Sequence, residues 1–241
     1  PVSSWYWWLT SLFLEGSEKN KFMNLKLETI ISGPLENNTF LLYDSSISQG
    51  IIFDPSYQPV QVLELVREKK LTITYILFTH GHFDHFAGLA YLLSTLDPAP
   101  AIALHPADLQ LWQEGGGSIH FRMPIYPPLD PNVLLADNQE IKLGDEVIRV
   151  LHTPGHSPGS VVFHIPALHT AIVGDLLFKR SIGRTDLHGG NFGTLKNSIQ
   201  TRIFTLPPET ILLPGHGPQT TIGREMVDNP FVGVNATYNE V

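Results

Sequence analysis

The chain has 241 residues, of which 42% are hydrophobic and 16% charged, the composition of a folded domain rather than of a disordered chain. A net charge of −8 argues against a nucleic-acid binder, which would carry a basic face. With no cysteine there is neither a disulfide framework nor a thiolate metal site, so every metal ligand must be His, Asp or Glu, and the composition fits the cytoplasm.

Residues 1–22 differ from the rest. Trp5-Tyr6-Trp7-Trp8-Leu9 and Leu12-Phe13-Leu14 form an apolar run far short of the ~20 residues that span a bilayer. The run lacks the basic start and cleavage site of a secretory signal. We read 1–22 as an upstream or non-native extension, with Met23 as the native start and 23–241 as one domain. The competing reading is an amphipathic segment packed on the domain, on a partner or on a membrane surface.

From Leu25 onward alternating apolar residues predict strands over 25–30, 38–43 and 50–53, the last two joined by the turn cluster Asp44-Ser45-Ser46. Val62, Leu63, Leu65 and Val66, with charges between them, predict a helix over 60–70. The apolar run Tyr75-Ile76-Leu77-Phe78 reads as a buried strand, and helical spacing follows over 86–95. Between them lies Thr79-His80-Gly81-His82-Phe83-Asp84-His85, which packs three histidines and a carboxylate into six positions on a strand-to-helix loop. Neutral imidazole and carboxylate are the ligands that zinc, iron(II) and manganese accept. A strand over 101–104 and a helix over 106–113 come next. Residues 115–131, rich in Gly and Pro, read as a long loop near the site entrance or as a surface connection.

The second half returns to short strands, over 140–143, 146–152, 160–165 and 171–173, then a helix over 194–204 and a last strand over 211–213. Three turns here each offer one further ligand: His156 in Pro154-Gly155-His156, Asp175 in Gly174-Asp175 and His216 in Gly215-His216-Gly217. Neighbouring glycine or proline suits a tight turn that aims the side chain inward. Five histidines and two aspartates exceed what one tetrahedral ion uses, and they suit two ions with one bridging carboxylate. We assign His80, His82 and His156 to one ion, Asp84, His85 and His216 to the other, and Asp175 to the bridge, because a carboxylate has two oxygens. The remaining histidines, His105, His120, His152, His164, His169 and His188, read as structural or loop residues. The order of elements implies an α/β fold of two mixed sheets stacked face to face, with helices outside.

The cluster Thr79–His85, followed in order by His156, Asp175 and His216, resembles the metallo-β-lactamase superfamily over nearly the whole chain from Met23. That resemblance implies an αββα sandwich with the metals at one edge. Within it, Gly174-Asp175-Leu176-Leu177-Phe178, Gly183-Arg184-Thr185-Asp186 and Pro214-Gly215-His216-Gly217-Pro218 are similar to the glyoxalase II branch, the hydroxyacylglutathione hydrolases. Only 25 residues follow His216 (241 − 216), so the similarity is to the short forms without a C-terminal helical domain. It implies two divalent ions, most simply zinc, with iron or manganese as alternatives. A hydroxide held between them attacks an acyl carbonyl. Asp84 is expected to orient it as well as bind metal. The implied substrate is a small-molecule thioester such as S-lactoylglutathione, with side activity on esters or lactones. In that branch a basic residue near Arg184 contacts a glutathione carboxylate, and Lys179 and Arg180 add charge to the same loop. The plain alternative is an Arg184–Asp186 ion pair. Neither nucleic acid nor membrane is expected as a partner, and the chain is expected to be a monomer or a homodimer. Competing functions are a persulfide dioxygenase with one iron on His80, His156 and Asp175, a lactonase or β-lactamase, and a non-catalytic metal-binding protein. Asp175 argues against the β-lactamases.

Overall fold

The computed structural model describes residues 24–238, so the apolar run expected to be an extension lies outside the described residues. Strands buried on both faces organise everything that follows. In the first sheet β1 (Leu25–Ser32), β2 (Asn37–Asp44) and β3 (Gln49–Phe53) form an antiparallel meander, and β4 (Thr72–Leu77), β5 (Ala101–Leu104) and β6 (Val133–Leu134) extend it in parallel. The second sheet is built from β7 (Glu140–Leu143), β8 (Glu146–His152), β9 (Val161–Ile165) and β10 (Thr170–Gly174). After a two-stranded hairpin, β11 (Leu177–Phe178) and β12 (Ser181–Ile182), it is completed by β13 (Ile211–Pro214), parallel to β10, and β14 (Thr220–Thr221).

Successive side chains of a strand point to opposite faces. Phe40, Leu42, Ile51, Phe53 and Leu77 of the first sheet therefore meet Ile148, Val150, Val161, Phe163 and Ile172 of the second in one apolar layer. The alternate residues Leu41, Ile52, Ile73 and Ile76 face outward, onto α1 (Val60–Glu68), α2 (Phe83–Phe86), α3 (Leu89–Leu93) and α4 (Leu109–Gln113). On the other side Leu151, Val162, Ala171 and Leu212 lie under α5 (Phe192–Ser198) and α6 (Ile222–Asp228). The order helix, sheet, sheet, helix is the αββα sandwich that the sequence predicts, with both sheets mixed. Among the described residues no helix is long and apolar enough to cross a membrane.

Several boundaries differ from expectation. The helix expected over 86–95 begins three residues earlier, at Phe83, and breaks at Gly88. There the chain crosses so close to Ser56 and Pro55 that a Cβ would strike the Ser56 carbonyl. The helix expected over 194–204 starts at Phe192, capped by the Asn191 side chain on the Thr194 amide (2.8 Å), and widens into a π-turn over Ile199–Ile203. The loop 115–131 contains a 3₁₀ turn, Ser118–Phe121. Short elements β6, β11, β12, β14 and α6 lack a periodic run long enough to read from sequence.

Candidate metal centre

Every candidate ligand sits just past the end of a strand, at one edge of the sandwich. β4 leads into Thr79, whose amide (2.8 Å) and hydroxyl (2.6 Å) both donate to the buried Asp54 carboxylate. His82 occupies the N-cap of α2, so Asp84 and His85 project from the first turn of a helix rather than from a free loop. The β8–β9 turn delivers His156, the end of β10 delivers Asp175 and the end of β13 delivers His216. Asp108 staples two of these segments together. It accepts the Gly81 amide (2.9 Å), the Gly159 amide (2.6 Å) and the Ser157 hydroxyl (2.7 Å). Gly215 passes so close to the centre that a Cβ there would lie 2.6 Å from His85 Cε1 and would strike Asp175 Oδ1.

All seven side chains read as ligands from the sequence converge. Their donor atoms form three overlapping groups, His80/His82/His156, His80/His85/Asp175 and Asp84/His85/His216, each with its atoms within 4.8 Å of one another. The outer ring nitrogens explain which nitrogen faces inward. His85 Nδ1 lies 3.0 Å from Asp54, His156 Nδ1 2.8 Å from the Arg184 carbonyl and His216 Nδ1 2.9 Å from the Leu35 carbonyl. A carboxylate or carbonyl only accepts, so each of these Nδ1 atoms carries a proton and each Nε2 is turned inward, toward the centre. The Thr79 hydroxyl spends its proton on Asp54, so it accepts from His80 Nδ1 at 3.0 Å and frees His80 Nε2 likewise. His82 is turned the other way, its Nδ1 2.9 Å from His156 Nε2. Such outer partners fix ring orientation and raise ligand basicity. Asp175 lies between the groups, with Oδ1 3.5 Å from His85 Nε2, and Oδ2 3.8 Å from His156 Nε2 and 3.7 Å from His216 Nε2.

The site fits divalent cations. His80 Nε2, His85 Nε2 and Asp175 Oδ1 are buried without a hydrogen-bond partner, a costly arrangement unless another group satisfies them. Burial, and then the neighbouring His85, push His80 well below the ordinary imidazole range. Burial with His156 nearby brings His82 down to about 3. Both are thus held toward the neutral form that metal binding requires. Burial pulls His85 down too, but Asp84, Asp175 and Asp54 outweigh it and hold it above the ordinary value. His216 is also raised, its burial overcome by Asp84 and Asp175. Burial would raise the two aspartates, yet His85 and then His156 hold Asp175 at about 2, and His85 and His216 hold Asp84 lower still.

A cavity of about 520 Å³ opens over these ligands. Arg184 reaches its lip, but the guanidinium makes two bonds to Asp186 (2.7 and 2.8 Å), the ion-pair alternative raised by the sequence. Lys179 and Arg180 do not line the cavity; they form the β11–β12 turn, where the Arg180 amide donates to Glu225. His120 and His188, read as structural or loop residues, both line it, His120 because the loop over 115–121 folds back onto the site. Gly116 anchors that fold-back. Its φ of +60° suits glycine, a Cβ would strike the Phe83 amide nitrogen, and its carbonyl accepts that amide at 3.1 Å. Sequence reasoning missed Asn37, Asp54 and Asp108. Asn37 donates to Asp84 Oδ2 (2.8 Å) and its amide lies 3.3 Å from His216 Nε2. Their only signal was a polar residue beside a strand end or within a helix-forming segment.

Comparison with known proteins agrees with this architecture. The profile of the metallo-beta-lactamase superfamily matches residues 32–216. A hydroxyacylglutathione hydrolase, GloC, of Haemophilus influenzae is 32% identical over 210 residues, 86% of this chain and 98% of that protein. The crystal structure of the B3 metallo-beta-lactamase BLEG-1 superposes with a TM-score of 0.80 at 36% identity, covering 86% of this chain and 99% of the other. The di-iron-bound form of TTHA1623 superposes with a TM-score of 0.75 at 38% identity, covering 85% and 99%. By fold, by profile and by the placing of its histidines and aspartates, this chain belongs to the metallo-beta-lactamase superfamily.

Proposed function

We propose that this protein is a binuclear metal-dependent hydrolase of acyl compounds, with thioesters such as S-lactoylglutathione as the first substrates to assay. The observation that carries the reading is the convergence of seven ligand-type side chains in which four histidines have their outer nitrogen engaged, while His80 Nε2, His85 Nε2 and Asp175 Oδ1 are buried at the centre without a partner. His80, His82 and His156 would hold one ion, Asp84, His85 and His216 the other, and Asp175 both. Zinc suits this nitrogen and oxygen set, and iron or manganese fits it too. Two such ions supply an activated water at neutral pH and an electrophile for the carbonyl. The chain's own residues do the rest. Asn37 donates to Asp84 Oδ2 and fixes it, leaving the carboxylate aimed at the site as the orienting base. The cavity shields the reacting carbonyl from bulk water.

The complete second group, Asp84/His85/His216, favours two ions over a mononuclear iron on His80, His156 and Asp175. Its presence also weighs against a binding protein without turnover. Likeness to BLEG-1 keeps β-lactams among the substrates to test, despite the sequence argument from Asp175. Arg184 remains our candidate for gripping a substrate carboxylate. Its partner Asp186 is exposed, and solvent screens an exposed ion pair, so exchange is cheap. The test is a substrate panel of thioesters, lactones, β-lactams and persulfides, run on protein stripped of metal and then reloaded. Hydrolysis of at least one acyl class is expected only after reloading, and Arg184→Ala should raise KM for a carboxylate-bearing substrate while sparing kcat. Oxygen consumption with a persulfide and no acyl hydrolysis would overturn the proposal.

A further inference from the structure

The cavity wall differs in character from its floor. Candidate ligands form the floor, whereas Leu35, Phe83, Leu111, Ile119, Phe121 and Leu187 supply most of the wall. Phe83 stands between His82 and Asp84 in the chain, so apolar surface begins one residue from the reacting centre. Its ring lies 5.3 Å from Phe121, which carries the surface outward to the lip. Ile119 is 65% exposed and Phe121 43% exposed, unusual for side chains that border a cavity and available to be covered by a ligand. The loop bearing them is not adrift, because Gly116 ties it to the ligand segment through the Phe83 amide.

Charge is scarce on the same surface. Among the described residues that line the cavity, the ionisable groups other than candidate ligands are Glu114, His120, Arg184 and His188. The one permanent cation, Arg184, could meet one substrate carboxylate by exchange with the exposed Asp186, and Glu114 would repel an anion. A glutathione thioester carries two carboxylates on its thiol side, of which Arg184 could meet one, and none on its acyl arm.

We infer that the site selects acyl compounds with an uncharged, apolar acyl arm, which lies along Phe83, Leu111, Ile119 and Phe121 while its carbonyl sits over the candidate ligands. This inference deepens the hydrolase reading and rests on it for the identity of the reacting group. Covering apolar surface follows the area removed from water, so each added methylene should tighten binding about two- to fourfold until the wall is used up.

The test measures binding separately from turnover. Straight-chain carboxylates from acetate to octanoate, which mimic the acyl product, are titrated calorimetrically into metal-reloaded protein. Alongside, kcat/KM is measured for N-acetylcysteamine thioesters with the same acyl chains and for S-lactoylglutathione. Affinity for the carboxylates should rise with chain length, and octanoyl thioester should exceed S-lactoylglutathione in kcat/KM. In Ile119→Ser and Phe121→Ser, both exposed positions at which the fold should survive, the ratio of octanoate to acetate affinity should fall about tenfold in the pair combined. A flat chain-length series, a slope unchanged in both variants, or a preference of more than tenfold for the glutathione thioester would overturn the inference. Chain-length-dependent binding without turnover of any thioester would support it while refuting the thioesterase reading, so the two fail separately.

Discussion

At the scale of residues, the site depends on groups that touch no candidate donor atom from the inside. Asp54 is fully buried and accepts three hydrogen bonds, from the Thr79 amide and hydroxyl and from His85 Nδ1–H. It orients His85 directly and His80 through Thr79. Asp54→Asn replaces one acceptor oxygen by a donor NH₂ that would face an N–H or an O–H. The backbone there, at φ +47°, tolerates Asn as well as Asp, so the loss should be local. Outer partners of metal-binding histidines are worth about 10–100-fold in affinity, and a loss of that size is expected by competition with a fluorescent chelator, with the circular dichroism spectrum retained. Affinity within twofold of wild type would show that Asp54 serves only the backbone. The seven ligand candidates were legible because four share one short segment and the others sit in Gly- or Pro-flanked turns. Asp54, Asp108 and Asn37 were not, because an isolated polar residue is ordinary in sequence and its importance arises only when the fold brings it to a distant partner, 31 residues away for Asp54 and His85.

At the scale of elements, the two sheets are held by the apolar layer between them, and that layer fixes where the strand ends meet. Phe53 of β3 and Phe163 of β9 cross it edge to face at 5.2 Å, both fully buried. Phe163→Ala removes a ring that cannot be replaced by collapse of two rigid sheets, and should cost about 3–5 kcal/mol in denaturant unfolding. A loss under about 1 kcal/mol would mean that the layer is loosely packed. Direct coupling also joins sheet to site. The Val161 amide at the start of β9 donates to the Thr79 carbonyl (2.8 Å), and the Gly215 amide donates to the Gly174 carbonyl (2.9 Å). Long strands and both sheets were readable because burial on one face forces alternation or a continuous apolar run. Two-residue strands such as β6 and β14 carry no period at all, and α6 hides behind charges; its marker is the Thr221 cap, which accepts the Arg224 amide. The helix onset at Phe83 escaped notice because its first turn is made of ligands, not of helix formers.

At the scale of the whole molecule, an acidic chain gathers two carboxylates and five imidazoles at the end of its sandwich, with a third carboxylate, Asp54, directly behind them. That gathering is stable only if cations or protons occupy it. Without metal, Asp84 and Asp175 favour the protonated forms of His85 and His216. A metal must displace those protons, so falling pH competes with metal and rising pH favours it. His80 and His82, lowered by burial, offer no proton to displace in this range. The measurement that bears most directly on the account is calorimetric titration of zinc into chelator-stripped protein at about pH 8 and about pH 6. It should saturate at two ions per chain, with the second ion weakened more than the first on going to the lower pH. Saturation at one ion per chain, or a stoichiometry unchanged in His216→Ala and Asp175→Ala alike, would contradict the binuclear site.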